Sequence, residues 1–478
     1  MKNSLFLLAA CALPALGRLA LHERDVPAVV SFDIKRKDVS DPVARDVARR
    51  KRSETVSSGL DNEYNLYLCN ITLGSDKQAL RLVIDTGSSD LWVNAPNSTF
   101  CEEYKEYCDY YGTYDATDSD TYSYVNSDFN ISYADSSSAG GVYATDTLHI
   151  GDAELKSLQF GIGYESSSEV GVLGIGYTTN EASESTTGES YANLPKAMVN
   201  KGLIQSNAYS LWLNDLDSNE GSILFGGIDT GKFHGELETL PILKTQGVYA
   251  AFYITLSGVA LTNSSGTSNY STSSSLPAAV LLDSGSSLTY LPDAIVEDIY
   301  DELDVSYSSS AGYGYLPCSY AEKDYKFTYS FSGLTIDVDI SELVMDMGGN
   351  EYYSNGDRAC AFGIAPAGNT DAVLGDTFLR SAYVVYDLAN NEISMANTNF
   401  NSTTSHISEI GTGADAVPSA TGVANPETAS SNPTAKHGGV PDATDLPGSS
   451  TKNAAIPRPT QMPKHMALGL AGAALLVL

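Results

Sequence analysis

Apolar and polar positions alternate along most of the chain in short runs, and both ends break that rhythm. Residues 60–400 are dense in Tyr, Val, Ile, Leu, Ser and Gly, with turn clusters roughly every 8–12 residues. That spacing predicts many short strands and an all-β class. Tyr67-Leu68-Cys69-Asn70-Ile71 alternates and reads as a strand with Cys69 buried, while Leu82-Val83-Ile84 and Val280-Leu281-Leu282 are unbroken apolar triplets of fully buried strands. Helical stretches are few, the best being Leu194–Gly202 and Asp293–Leu303.

The ends read as addresses. Leu5–Ala15 is an uncharged apolar run after Lys2, followed by the small-residue site Ala15-Leu16-Gly17. It is too short to span a bilayer, so residues 1–20 are expected to be a secretory signal peptide. Residues 21–52 end in Arg49-Arg50-Lys51-Arg52 and read as a propeptide with a basic processing site, or else as a solvated basic tail. Residues 401–453, rich in Ser, Thr, Pro, Ala and Gly, read as an O-glycosylated stalk too poor in large apolar groups to fold. Within 454–478, the polar spacer Ile456–His465 precedes the apolar tail Met466–Leu478. Small triplet, spacer and tail follow the order of a signal for GPI attachment, with Asn453 as the expected site, Gly448-Ser449-Ser450 as a second, and a tail-anchored or sticky C-terminus as the alternative. The expected location is outside the cell, on the membrane or in the wall.

Charge narrows the function. Asp+Glu total 59 against Lys+Arg 27, a net of −32, which argues against nucleic acid and against adsorption to anionic lipid. Residues 1–52 run the other way, with 11 bases and 6 acids, so a basic prosegment would be held electrostatically on an acidic body. With six His in all, and only His149 and His234 in the expected globular part, a His-based zinc site or a Ser-His-Asp triad has little material. Carboxylates are left as the catalytic candidates, with no metal and no cofactor expected. Six sequons begin at Asn70, Asn97, Asn130, Asn263, Asn269 and Asn401. Once Cys11 leaves with the signal, five cysteines remain. Two disulfides, Cys101–Cys108 and Cys318–Cys360, with Cys69 as a buried free thiol, are the natural arrangement.

The middle of the chain repeats itself. Leu82-Val83-Ile84-Asp85-Thr86-Gly87-Ser88-Ser89 recurs as Val280-Leu281-Leu282-Asp283-Ser284-Gly285-Ser286-Ser287, 198 residues on. Gly171-Val172-Leu173-Gly174 and Ala372-Val373-Leu374-Gly375 follow the respective Asp by about 88 and about 91 residues. Two motifs at matching offsets imply a duplicated lobe. Each strand would deliver a carboxylate to the interior, and the Gly lets a substrate backbone approach. Two such carboxylates meeting on a pseudo-two-fold axis would share one proton and supply a base for water and an acid for the reacting group.

These motifs, with Leu91-Trp92-Val93 and Val373-Leu374-Gly375-Asp376-Thr377-Phe378-Leu379-Arg380, resemble the pepsin-like aspartic endopeptidases, nearest the fungal GPI-anchored yapsin type. The resemblance covers about residues 53–400 and implies a bilobal all-β fold, with an N-terminal lobe at 53–235 and a C-terminal lobe at 236–400. It implies a catalytic pair Asp85 and Asp283, hydroxyls Ser88 and Ser286 on their outer oxygens, an inter-lobe grip from Thr86 and Ser284, and substrate contact at Gly87 and Gly285. Ser284 stands where Thr is commoner. Tyr133 matches the flap tyrosine and Trp92 its partner, while Ala134 and Ser136 replace glycines usual in such flaps. Asp135 is implied to favour Lys or Arg before the cut, the alternative being a turn Asp bonded to its own backbone. Residues 94–132 add eight acids against Lys105, which either steer basic substrates or form a solvated loop. The expected protein is a monomeric acid-active endopeptidase acting on peptides and proteins. A catalytically inactive pepsin-fold binding protein or wall glycoprotein is the alternative.

Overall fold

The computed structural model describes residues 27–37, 66–133, 137–218, 220–271, 274–309, 311–346 and 352–430. The signal, the Arg49–Arg52 run, Asp135 and the attachment signal around Asn453 lie outside the described residues. Ten strands make up the first part: β1 (Val30–Lys37), β2 (Leu66–Leu73), β3 (Gln78–Asp85), β4 (Leu91–Asn94), β5 (Ser123–Ser132), β6 (Ser138–Ile150), β7 (Ala153–Ser166), β8 (Val172–Gly174), β9 (Ala208–Trp212) and β10 (Glu220–Phe225).

The sequence repeat is a repeat of strand pairing. In the first lobe β3 runs parallel to β8, with Asp85 opposite Gly174, and β4 pairs antiparallel to β8 and parallel to β7. In the second lobe Ala278–Leu282 runs parallel to Ala372–Leu374, and Thr289–Leu291 pairs antiparallel to Ala372–Leu374 and parallel to Ile364–Pro366. The apolar triplets explain why: Val83, Ile84, Val280 and Leu282 are buried, as befits strands covered on both faces. An all-β bilobal fold is thereby established, with its two halves built to one plan.

A continuous sheet ties the halves together. Strand Ala382–Asp387 pairs with β9 on one side and with Glu392–Thr398 on the other, and Phe233–Pro241 pairs with Glu392–Thr398 beyond that. The expected lobe boundary at 235/236 therefore falls inside a strand of this shared sheet. β1 sits between β10 and β2, antiparallel to both. Part of the segment read as a prosegment is thus held by backbone pairing.

Both predicted helices form, as Leu194–Asn200 and Asp293–Leu303. The latter buries Ile295, Val296, Ile299, Tyr300 and Leu303, one face at helical spacing, and ends at Asp304 with φ 55°. Two further short helices, Thr99–Glu103 and Lys105–Tyr111, are stapled by Cys101–Cys108. The second disulfide is Cys318–Cys360, and Cys69 is a free, buried thiol.

Residues 401–430, which composition reads as part of a stalk, pair with the fold. Residues 407–409 pair with Gly227–Asp229, residues 420–422 pair in parallel with Phe233–Pro241, and Ile410 and Val417 are buried. The segment contributes few apolar groups, but they land on an apolar face built by Ile228, Leu237 and Tyr383, and its backbone joins existing strand edges.

Candidate active site

β3 ends on Asp85, and Ala278–Leu282 ends one residue before Asp283. At both places the chain leaves a buried strand through Thr/Ser-Gly-Ser and folds back on the carboxylate. Gly87 N–H donates to Asp85 Oδ1 at 2.8 Å and Ser88 Oγ to Oδ2 at 2.6 Å. Gly285 N–H donates to Asp283 Oδ1 at 2.8 Å and Ser286 Oγ to Oδ2 at 2.7 Å. Both carboxylates are nearly inaccessible, at 1% and 7% exposure. Each is therefore oriented by the same two donors.

The motifs grip each other across the pseudo-axis. Thr86 Oγ1 donates to Leu282 O at 3.1 Å and accepts from Ser284 N–H at 3.0 Å. Ser284 Oγ donates to Ile84 O at 3.0 Å and accepts from Thr86 N–H at 3.2 Å. Serine in place of threonine keeps the whole pattern. The approach is close enough that a Cβ on Gly87 would fall 2.6 Å from Asp283 Oδ1, so a side chain at Gly87 would intrude on the opposite carboxylate. Asn180 Nδ2 donates to Gly87 O at 3.3 Å.

β5 and β6 form a hairpin whose Tyr133 packs with Trp92, Val83 and Val172, residues of the strands that flank Asp85. The hairpin tip is closed by Tyr133 N–H to Ser137 O at 2.8 Å, and Trp92 Nε1 donates to Tyr133 Oη at 2.7 Å. Trp92 is fully buried while Tyr133 is half-exposed. Asp135 is outside the described residues. Asn70, Asn97, Asn130, Asn269 and Asn401 are exposed, and Asn263 is half-buried with Nδ2 donating to Glu302 at 3.4 Å.

The sequence reading missed a buried carboxylate network behind Asp85. Asp90 Oδ1 accepts from Tyr143 Oη at 2.8 Å and Tyr191 Oη at 2.9 Å, and its Oδ2 accepts from Ala182 N–H at 2.7 Å. Burial pushes the Asp90 carboxyl above its ordinary value. Glu181, 1% exposed, accepts from Tyr191 N–H at 2.7 Å, while its Oε1 has no hydrogen-bond partner. Burial first, opposed by that backbone bond, and then the nearby Asp90 push Glu181 up to about 9. Asp90 directly follows the Asp85–Ser89 motif, and an acid inside an otherwise apolar and hydroxyl run was its available signal. Burial likewise pushes the Cys69 thiol up to about 12, which leaves it inert.

Two oriented carboxylates at the contact of duplicated β lobes define an aspartic peptidase of the two-lobed kind. The sequence matches the Eukaryotic aspartyl protease family over residues 66–398, and the chain belongs to that family. It is 60% identical to a probable aspartic-type endopeptidase opsB of Aspergillus oryzae over 98% of both chains, and 62% identical to the Aspergillus fumigatus protein of that name over 86% of this chain and 84% of the relative. It is 38% identical to aspartic proteinase yapsin-3 of Saccharomyces cerevisiae over 71% of this chain and 68% of that one. The crystal structure of an aspartic proteinase from Irpex lacteus shares the fold, with TM-score 0.57 at 20% identity, over 79% of this chain and all of that one. The protein is an aspartic-type endopeptidase.

Proposed function

We propose that this endopeptidase is made as a secreted zymogen, held outside the cell by a GPI anchor near Asn453, and works as a monomer at acidic pH with a preference for Lys or Arg beside the cut. Asp85 and Asp283 are the catalytic pair in this reading. One takes a proton from a bound water as it attacks the scissile carbonyl, and the other protonates the reacting group, with no covalent intermediate. The observation that carries it is the matched pair of donor sets on Asp85 and Asp283, locked by the reciprocal Thr86–Ser284 grip. The location rests on the two terminal segments and the six sequons, and the preference for bases on the acidic balance and on likeness to the yapsins.

The test is peptide cleavage by the processed enzyme from about pH 3 to 7, with Lys-Arg or Leu-Phe at the centre of otherwise identical peptides. Asp85→Asn should remove nearly all activity while leaving the melting temperature close to the parent's. Asp135→Thr should lower cutting of the basic peptide. Equal cutting of Leu-Phe would remove the basic preference, and cleavage surviving in Asp85→Asn would remove the dyad. Release of the protein from intact cells by a phosphatidylinositol-specific phospholipase checks the anchor.

A further inference from the structure

The wall beside the hairpin tip is apolar and carries one oriented carboxylate. Tyr111, Trp92, Phe129, Ile131, Val170 and the flap residue Tyr133 pack in one cluster. Val170 precedes β8, the strand that sets Gly174 beside Asp85, and Val83 and Val172 share its cluster, so this wall lies along the strands that lead to the dyad. Glu169 is next to Val170, half-exposed, on the loop joining β7 to β8.

That loop is built rather than loose. Ser167 N–H donates to Ser138 O at 3.0 Å and Ser138 N–H to Ser167 Oγ at 2.9 Å, which ties it to the base of the flap. Asn94 Nδ2 donates to Ser168 O at 2.9 Å. Tyr111 Oη donates to Glu169 Oε1 at 2.9 Å, and Tyr111 itself is 3% exposed. Among the described residues no Lys or Arg pairs with Glu169. From Gly174 back to Glu169 is five residues, roughly 16 Å if extended.

We infer that Glu169, positioned by Tyr111, reads a lysine or arginine side chain of the substrate just before the scissile bond. The inference rests on the basic preference proposed above and assigns it a residue. A long basic side chain suits this wall because its methylene stem can lie on apolar groups while its charged head reaches a carboxylate at the rim. The bond from Tyr111 holds one oxygen of Glu169 in place and leaves the other to accept from the incoming cation, a charge-assisted bond of the stronger kind. Because the loop is tied to the flap base, the carboxylate keeps its place relative to Tyr133.

The experiment compares kcat/KM of the processed enzyme on two peptides that differ only before the cut, lysine in one and norleucine in the other. Norleucine keeps the stem and drops the charge. The ratio of lysine to norleucine should fall about 10- to 100-fold in Glu169→Gln, the loss of one charged hydrogen bond, and several-fold in Tyr111→Phe. Glu169→Lys should turn the preference toward a glutamate peptide. Cleavage of the norleucine peptide reports folding of each variant, and Tyr111→Phe keeps the core ring if a change at Glu169 disturbs the loop. A parent that prefers lysine and a Glu169→Gln variant with the same ratio would overturn this assignment and leave the basic preference standing. A parent with no preference would overturn both.

Discussion

Glu181 is a carboxyl with one oxygen left unbonded in a dry place, next to a second buried carboxyl, Asp90. Its folded value near 9 lies well above the ordinary 4.5. Between those values the folded chain holds a proton that the unfolded chain has released, so stability falls as pH rises through that window and is fully present below its lower end. The melting temperature should therefore decline from pH 4.5 toward 9, and Glu181→Gln should flatten the decline. An equally steep decline in that variant would place the sensitivity elsewhere. Residues of this kind are the least legible in sequence. Asp85, Asp283 and their serines and glycines could be read because each motif is local and occurs twice. Glu181–Asp90 and Tyr111–Glu169 join positions 91 and 58 residues apart, with no periodicity to announce them. Arg380 is similar: fully buried, it donates through Nε to Glu342 at 2.5 Å, a bond across sequence that no motif signals.

At the scale of elements, composition and pairing disagree over 401–430. A chain ended after Phe400 should be less stable than one ended after Ser430, because it uncovers the sites of Ile410 and Val417. At ~1.5–3 kcal/mol for each buried side chain, the expected loss is about 3–6 kcal/mol, read as a lower urea midpoint. The second disulfide offers an independent check. Cys318 and Cys360 are separated by 42 residues, and replacing both with Ala should cost about 4 kcal/mol if chain entropy dominates. Strands and the helices Leu194–Asn200 and Asp293–Leu303 were legible because burial imposes periods of two and 3.6 on them. Thr99–Tyr111 was not, since five of its residues are Tyr or Phe and its exposed face is acidic, a mixture with no clean stripe. The 401–430 segment escaped because a strand needs backbone edges to join, and those edges belong to residues far earlier in the chain.

For the whole molecule, the grip between Thr86 and Ser284 makes the two carboxylates one object. Thr86→Val or Ser284→Ala leaves a partner group buried and unpaired, at about 1–3 kcal/mol each. Each hydroxyl makes a separate two of the four bonds, but losing either pair loosens the one contact that orders the other, so the double variant should lose less than the summed single losses, which a double-mutant cycle would show. Activity should fall with stability, since the same atoms set the approach of the lobes. The bilobal plan was legible in the sequence through the doubled motif. The shared sheet was not, because its strands come from both ends of the folded region.

That shared sheet also puts a clock on synthesis. β9 is completed at Trp212, yet its neighbour Ala382–Asp387 is made roughly 170 residues later, on the order of 10–35 s at ordinary elongation rates. Until then the ribosome holds a chain whose two carboxylates have been made but whose shared sheet is open at β9. A message cut short before those strands yields a product whose β9, buried along its whole length in the finished fold, is left with an open apolar edge, the kind of edge that invites pairing with another chain.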